Sequence, residues 1–241
     1  MSMTSIKKTI NANAIWVSDT HLGSKGSQIE KFEDFLKSIT CKKLFLNGDI
    51  IDKFLIKNST DLLTICKPII DQIKQLQQEG TKIYFLQGNH DKEEDVKKIF
   101  YNIVYKTEIK YKTLKNKTYL IFHGDKCDSS GALKTKFVTL LGTKVYEFIL
   151  SFKKKAINKK ISLSKIIKVM SKKIILILFQ YEKKLLKYLQ KENVDGVICG
   201  HSHNPIIKKI SNKDYLNCGD WVHHCSYIIE TNDGTFKLLN Y

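Results

Sequence analysis

Five short apolar runs organise this chain: AIWV (14–17), KLFLN (43–47), KIYFLQ (82–87), TYLIF (118–122) and GVIC (196–199). Runs of this length, bounded by polar residues, read as strands buried in a core. Between them lie helical spacings. QIEKFEDFLKSI carries Ile29, Phe32, Phe35, Leu36 and Ile39 on one face, and DLLTICKPIIDQIKQLQQEG shows the same period, with a break expected near Pro68 and a stop at Gly80. The alternation predicts an α/β fold. With 241 residues, 42% of them hydrophobic, the chain can build one substantial core, so residues 1–241 are expected to form a single domain.

The strand pattern breaks in the second half. Residues 131–192 show no strand signal and read as two or more amphipathic helices, an all-helical insert of the kind that often serves as a lid. Strand patterns resume at Gly196 and continue through DYLNCG, CSYIIE and TFKLLN, the last two joined by an Asn-Asp-Gly turn.

Each run gives way to polar residues. SDTH supplies Asp19 and His21, NGDIID supplies Asp49 and Asp52, GNHD supplies Asn89 and His90, FHGD supplies His123, and CGHSH supplies His201 and His203. Taken singly, DTH is a commonplace loop, GD a turn and a lone histidine a surface or core residue. Ligands of open α/β sheets bind beyond the carboxyl ends of the strands, so in this order the side chains would converge on one site. Five of the seven histidines fall there. A set of carboxylate, imidazole and amide oxygen without thiolate suits Mn²⁺, Fe²⁺ or Zn²⁺ and argues against a structural cysteine-rich zinc site.

The series D-x-H, G-D-x-x-D, G-N-H-D, H-G-D and G-H-x-H resembles the calcineurin-like metallophosphoesterase superfamily over roughly residues 14–129 and 194–241. That resemblance implies a four-layer α/β/β/α sandwich and two divalent ions, with Mn²⁺ placed first. One ion would be held by Asp19, His21, Asp49 and His203, and the other by Asp49, Asn89, His123 and His201, with Asp49 bridging. Two ions sharing a carboxylate sit roughly 3.5–4 Å apart and lower the pKa of a shared water from about 16 towards about 7, giving a hydroxide that attacks phosphorus in line. His90 would protonate the leaving group and Asp52 would orient it. Asp91 reads as a local backbone brace, for instance capping a helix that starts near Lys92.

GDIIDKF, HGDKCD and NCGDWVHHCSYIIE, with a helical insert between the fourth and fifth motifs, look more specifically like the UDP-2,3-diacylglucosamine pyrophosphatase group. That group splits a lipid A precursor into UMP and a diacylated sugar phosphate at the cytosolic membrane face. His90 stands where its best-known hydrolases carry arginine, which points to a histidine-containing sister branch. Leu140, Leu141, Val145, Phe148, Ile149, Ile166, Ile167, Ile174 and Ile175 could line an acyl groove or simply pack on the core.

Charge bears on the partner. The net charge is +17 and the chain has no arginine, so a phosphate must be met by lysines, backbone N–H groups or metal. The lysine-rich insert reads as a solvated face, an anionic-membrane surface or a nucleic-acid contact, and a phosphodiesterase acting on nucleotides or nucleic acid stays open as the alternative. Lys53 after GDIID counts against a phosphoprotein phosphatase, which usually has arginine there. No apolar signal segment is read at the N-terminus, so the expected location is cytoplasmic, peripheral at the inner membrane face if the substrate carries acyl chains. Six scattered cysteines without a C-x-x-C pair are expected to be buried free thiols.

Overall fold

The computed structural model describes residues 10–24, 26–52, 59–128 and 179–241, with the side chains of residues 59–62 excepted. The chain divides into two compact units, Met1–Gly124 with Leu189–Tyr241, and Asp125–Tyr188. Both sheets and every candidate site residue belong to the first unit. The expected insert falls mainly on 131–178, outside the described residues, as do the proposed groove-lining side chains; residues 179–192 are helical.

The first unit contains two sheets. In chain order the elements are β1 (Ile10–Val17), α1 (Ile29–Ser38), β2 (Ile39–Asn47), α2 (Ser59–Gln78), β3 (Lys82–Leu86), α3 (Glu93–Ile99), β4 (Val104–Lys106), β5 (Glu108–Lys112), β6 (Thr118–Phe122), β7 (Gly196–Cys199), β8 (Ile206–Ile210), β9 (Lys213–Asn217), β10 (Ser226–Glu230) and β11 (Phe236–Asn240). The first sheet has the order β11-β10-β1-β2-β3-β4, with β1 to β4 parallel and β10 and β11 antiparallel. The second has the order β5-β6-β7-β9-β8, with β6, β7 and β9 parallel.

The continuous apolar runs arise from burial on both faces. In β1, Ile15 and Val17 join the core beneath the helices, with Leu44 and Leu46 of β2, Phe32, Phe35 and Leu36 of α1, and Ile69, Ile70 and Ile73 of α2. Ala14 and Trp16 point the other way, into a second core with Phe45, Tyr111, Tyr119, Ile121 and Ile198, which glues sheet to sheet. Trp16 stacks on Phe45 at 5.1 Å, and Phe45 on Tyr84 at 4.6 Å. An α/β architecture of two packed sheets flanked by helices is therefore what the alternation encodes.

α2 runs unbroken through Pro68, contrary to the break expected there. The proline removes one backbone donor, but the helix seats Cys66, Ile69, Ile70, Ile73 and Leu76 on the sheet, and that burial outweighs one lost hydrogen bond. α2 stops as expected at Gly80, where Thr81 N–H bonds Leu76 C=O at 2.8 Å and Gly80 N–H bonds Gln77 C=O at 3.0 Å, a Schellman closure. The Asn-Asp-Gly turn closes β10 on β11. β4, β5 and β8 have no counterpart among the expected strands.

Candidate metal centre

Six parallel strands point their carboxyl ends at one place: β1, β2 and β3 from the first sheet, β6, β7 and β9 from the second. The loops leaving β1 and β2 are stitched together. Asp19 N–H bonds Gly48 C=O at 3.0 Å, His21 N–H bonds Asp49 C=O at 3.0 Å, and Leu22 N–H bonds Ile50 C=O at 2.8 Å. From the second sheet Gly200 N–H bonds His123 C=O at 2.9 Å, and His201 N–H reaches across to Asp19 Oδ2 at 2.9 Å.

Backbone strain marks the same residues. Asp19, His21, Asp49, His201 and His203 all have φ between 45° and 64°, in the left-handed region. A non-glycine residue there costs about 1–2 kcal/mol, and such residues gather at functional sites. The neighbouring glycines make room: a Cβ on Gly88 would overlap the amide and carboxylate of Asp49, and one on Gly200 would overlap Ser18 and Asp19.

Among the described residues three overlapping groups of ligand atoms result, each within 4.8 Å: Asp19, His21 and His203; His21, Asp49 and His90; Asp49, His123 and His201. His203 Nε2 lies 3.3 Å from Asp19 Oδ1, and His123 Nε2 lies 3.3 Å from Asp49 Oδ2. Asp19 Oδ1 is buried and accepts no hydrogen bond, an oxygen left for a cation. Asn89 Oδ1 stands 3.1 Å from His201 Nδ1, so the neutral oxygen donor is also in place. The donor set fits a divalent metal site.

Asp52 sits behind two imidazoles, with Oδ1 3.3 Å from His90 Nδ1 and Oδ2 3.5 Å from His21 Nδ1. Burial would raise its pKa, but His21 and His90 outweigh burial and hold the carboxyl below its usual range. For Asp49 burial likewise raises, and His123, His90 and His21 win, keeping it well below the carboxylate range. Every residue of the expected site is thus brought together. His90 Nε2 stands 3.9 Å from Asp49 Oδ2.

Asp91 caps no helix. α3 starts after Lys92 with no side-chain cap, and Asp91 instead accepts N–H bonds from Ile51 at 2.9 Å, Gly88 at 3.2 Å and Ile50 at 3.3 Å. It braces the β2 and β3 loops against each other. Burial, then the charge of Asp49, push it up to about 7.

Asp220 is the residue that sequence reasoning missed. It is fully buried after β9, beside His203. The signal was available: NCGD repeats, after a strand, the Gly-Asp step of NGD at Gly48 and Asp49.

Two packed sheets whose strand ends deliver overlapping Asp and His groups define an α/β protein with a candidate divalent-metal site. The family described as calcineurin-like phosphoesterase matches residues 13–205, and the chain belongs to it. It is a phosphoester hydrolase. Its relatives include the UDP-2,3-diacylglucosamine hydrolase of Wigglesworthia glossinidia brevipalpis, 26% identical over 221 residues and covering 87% of each chain. The enzyme of the same name from Vibrio cholerae is 23% identical, over 95% of this chain and 97% of the relative. Among solved structures, an archaeal phosphodiesterase aligns with TM-score 0.44 and 14% identity, over 94% of this chain and 98% of that one.

Proposed function

We propose that this chain hydrolyses the pyrophosphate of a nucleotide-linked glycolipid of the UDP-2,3-diacylglucosamine kind, using two divalent ions, Mn²⁺ first among them. The chemistry rests on the overlapping ligand groups that share Asp49. The substrate reading rests on relatives of that name matching along nearly the whole chain.

Asp19, His21, Asp49 and His203 would hold one ion and Asp49, Asn89, His123 and His201 the other. When bound, the ions activate water at neutral pH and offset charge on the phosphoryl oxygens. Asp49 keeps one oxygen tied to His90 N–H at 2.8 Å, which fixes the carboxylate while its other oxygen faces His123. His90 holds a proton at Nε2 for the leaving oxygen, and Asp52 behind Nδ1 sets the plane of its ring. Residues 131–192 would form the helical insert of one catalytic domain and take the acyl chains at an anionic membrane surface. No helix among the described residues is long and apolar enough to cross a membrane.

The test is phosphorus NMR on Mn²⁺-supplemented protein given UDP-2,3-diacylglucosamine, with a bis-aryl phosphodiester alongside. UMP should appear, and Asp49→Ala should abolish it and lose metal. Turnover of the aryl ester alone would keep the two-metal chemistry and reject the substrate; full metal retention in Asp49→Ala would reject the bridging role.

A further inference from the structure

The two ion sites are not backed alike. Behind the Asp49–His123–His201 group, His123 Nδ1 faces a neutral backbone oxygen, that of Asn47, at 3.1 Å. Behind the Asp19 group stand carboxylates: Asp52 Oδ2 is 3.5 Å from His21 Nδ1, and Asp220 Oδ2 is 3.6 Å from His203 Nδ1.

Asp220 is built into place by division of labour between its oxygens. Oδ1 accepts the N–H groups of His223 at 2.6 Å, Val222 at 2.9 Å and His224 at 3.2 Å. Oδ2 meets His224 Nδ1 at 2.6 Å and turns to His203. Bracing the turn would need only a neutral acceptor, so an asparagine would serve it. A fully buried anion with its second oxygen between two imidazoles serves something else. His203 Nε2 faces Asp19, and the carboxylate behind Nδ1 keeps that face forward. At 3.6 Å the contact is one of charge rather than a hydrogen bond.

We propose that Asp220 is a positioning residue for His203 and thereby makes the Asp19–His21–His203 group the tighter of the two cation sites. This rests on the ligand roles assigned under the proposed function. A carboxylate partner raises imidazole basicity and adds charge that a neutral carbonyl does not, and losing such a partner typically costs about 10–100-fold in metal affinity.

The test is titration of the metal-stripped full chain with Co²⁺, read by visible absorption and by equilibrium dialysis. Wild type should take two equivalents of unequal affinity. Asp220→Asn, which keeps an acceptor for the three N–H groups, should retain the thermal midpoint of the metal-free protein. It should weaken the tighter equivalent by about 10–100-fold and leave the other unchanged. In a His203→Ala background the same change should cost nothing further. Wild-type affinities in Asp220→Asn, beside loss of one equivalent in His203→Ala, would overturn the positioning role and leave the ligand reading intact. Retention of both equivalents in His203→Ala would overturn the ligand reading, and this proposal with it. Should Asp220→Asn not fold, nitrogen-15 histidine NMR of Zn²⁺-loaded wild type decides: a proton on His203 Nδ1 is expected, and a bare Nδ1 overturns the proposal.

Discussion

His90 lies between two carboxylates, Asp52 on the Nδ1 side and Asp49 near Nε2. A general acid matters most where the leaving group is poor, so His90→Ala should lower turnover of an alkyl phosphodiester by about 10²–10⁴ and spare an activated aryl ester. Metal content measured on the same samples should stay near wild type; equal losses on both substrates would remove His90 from the acid role. Gly88 tests packing rather than chemistry. Because a Cβ there would overlap backbone as well as side-chain atoms of Asp49, Gly88→Ala should destabilise the fold by about 1–3 kcal/mol and release metal. Calorimetry with metal analysis reads both, and an unaltered variant would mean that the β2 and β3 loops yield easily.

At the scale of elements, the second sheet is pinned at the other end of its strands. Asp214 of β9 accepts Tyr119 OH of β6 at 2.7 Å and Lys117 Nζ at 3.0 Å. Burial raises its pKa, but these two partners outweigh burial, and the carboxyl ends below its ordinary value. A depressed folded-state pKa stabilises above the unfolded value of about 3.9 and loses that contribution as pH falls through the folded one. Asp214→Asn should therefore lower the thermal midpoint at pH 7 by about 2–4 °C for a loss of about 1 kcal/mol. The gap between variant and wild type should close below about pH 4, and a gap independent of pH would assign the loss to packing. Legibility also varied by element. β1, β2 and β3 are buried on both faces and announce themselves as apolar runs, whereas β5 (EIKYK) and β8 (IIKKI) carry lysines on an exposed face and mimic loop composition. α2 was visible as a period but not as one piece, because Pro68 is a local signal and the sheet beneath it is not.

At the scale of the whole molecule, the described residues include five buried aspartates gathered where the strand ends meet, Asp19, Asp49, Asp52, Asp91 and Asp220, while buried Glu230 stands apart with Asn13 and Tyr111. Cations that bind only the folded state must stabilise it, by about 2.7 kcal/mol at a hundred times Kd, so chelation should lower the thermal midpoint by about 5–10 °C. Differential scanning calorimetry with and without Mn²⁺ checks this, and identical midpoints would mean that the folded state holds no ion tightly. All six cysteines are buried free thiols, as their scatter suggested. The order of the Asp and His motifs, the residue types at each strand end and the α/β alternation were written in the chain, because burial on two faces and the clustering of polar side chains at one place each restrict which amino acids can stand at a position. The left-handed backbone at Asp19, His21, Asp49, His201 and His203, the turn of Asp91 away from its helix and towards three loop amides, and the placing of Asp220 behind His203 were not. Those depend on groups up to 182 residues apart, as in His201 N–H on Asp19, meeting in space, and no local pattern encodes a partner that only packing of two sheets supplies.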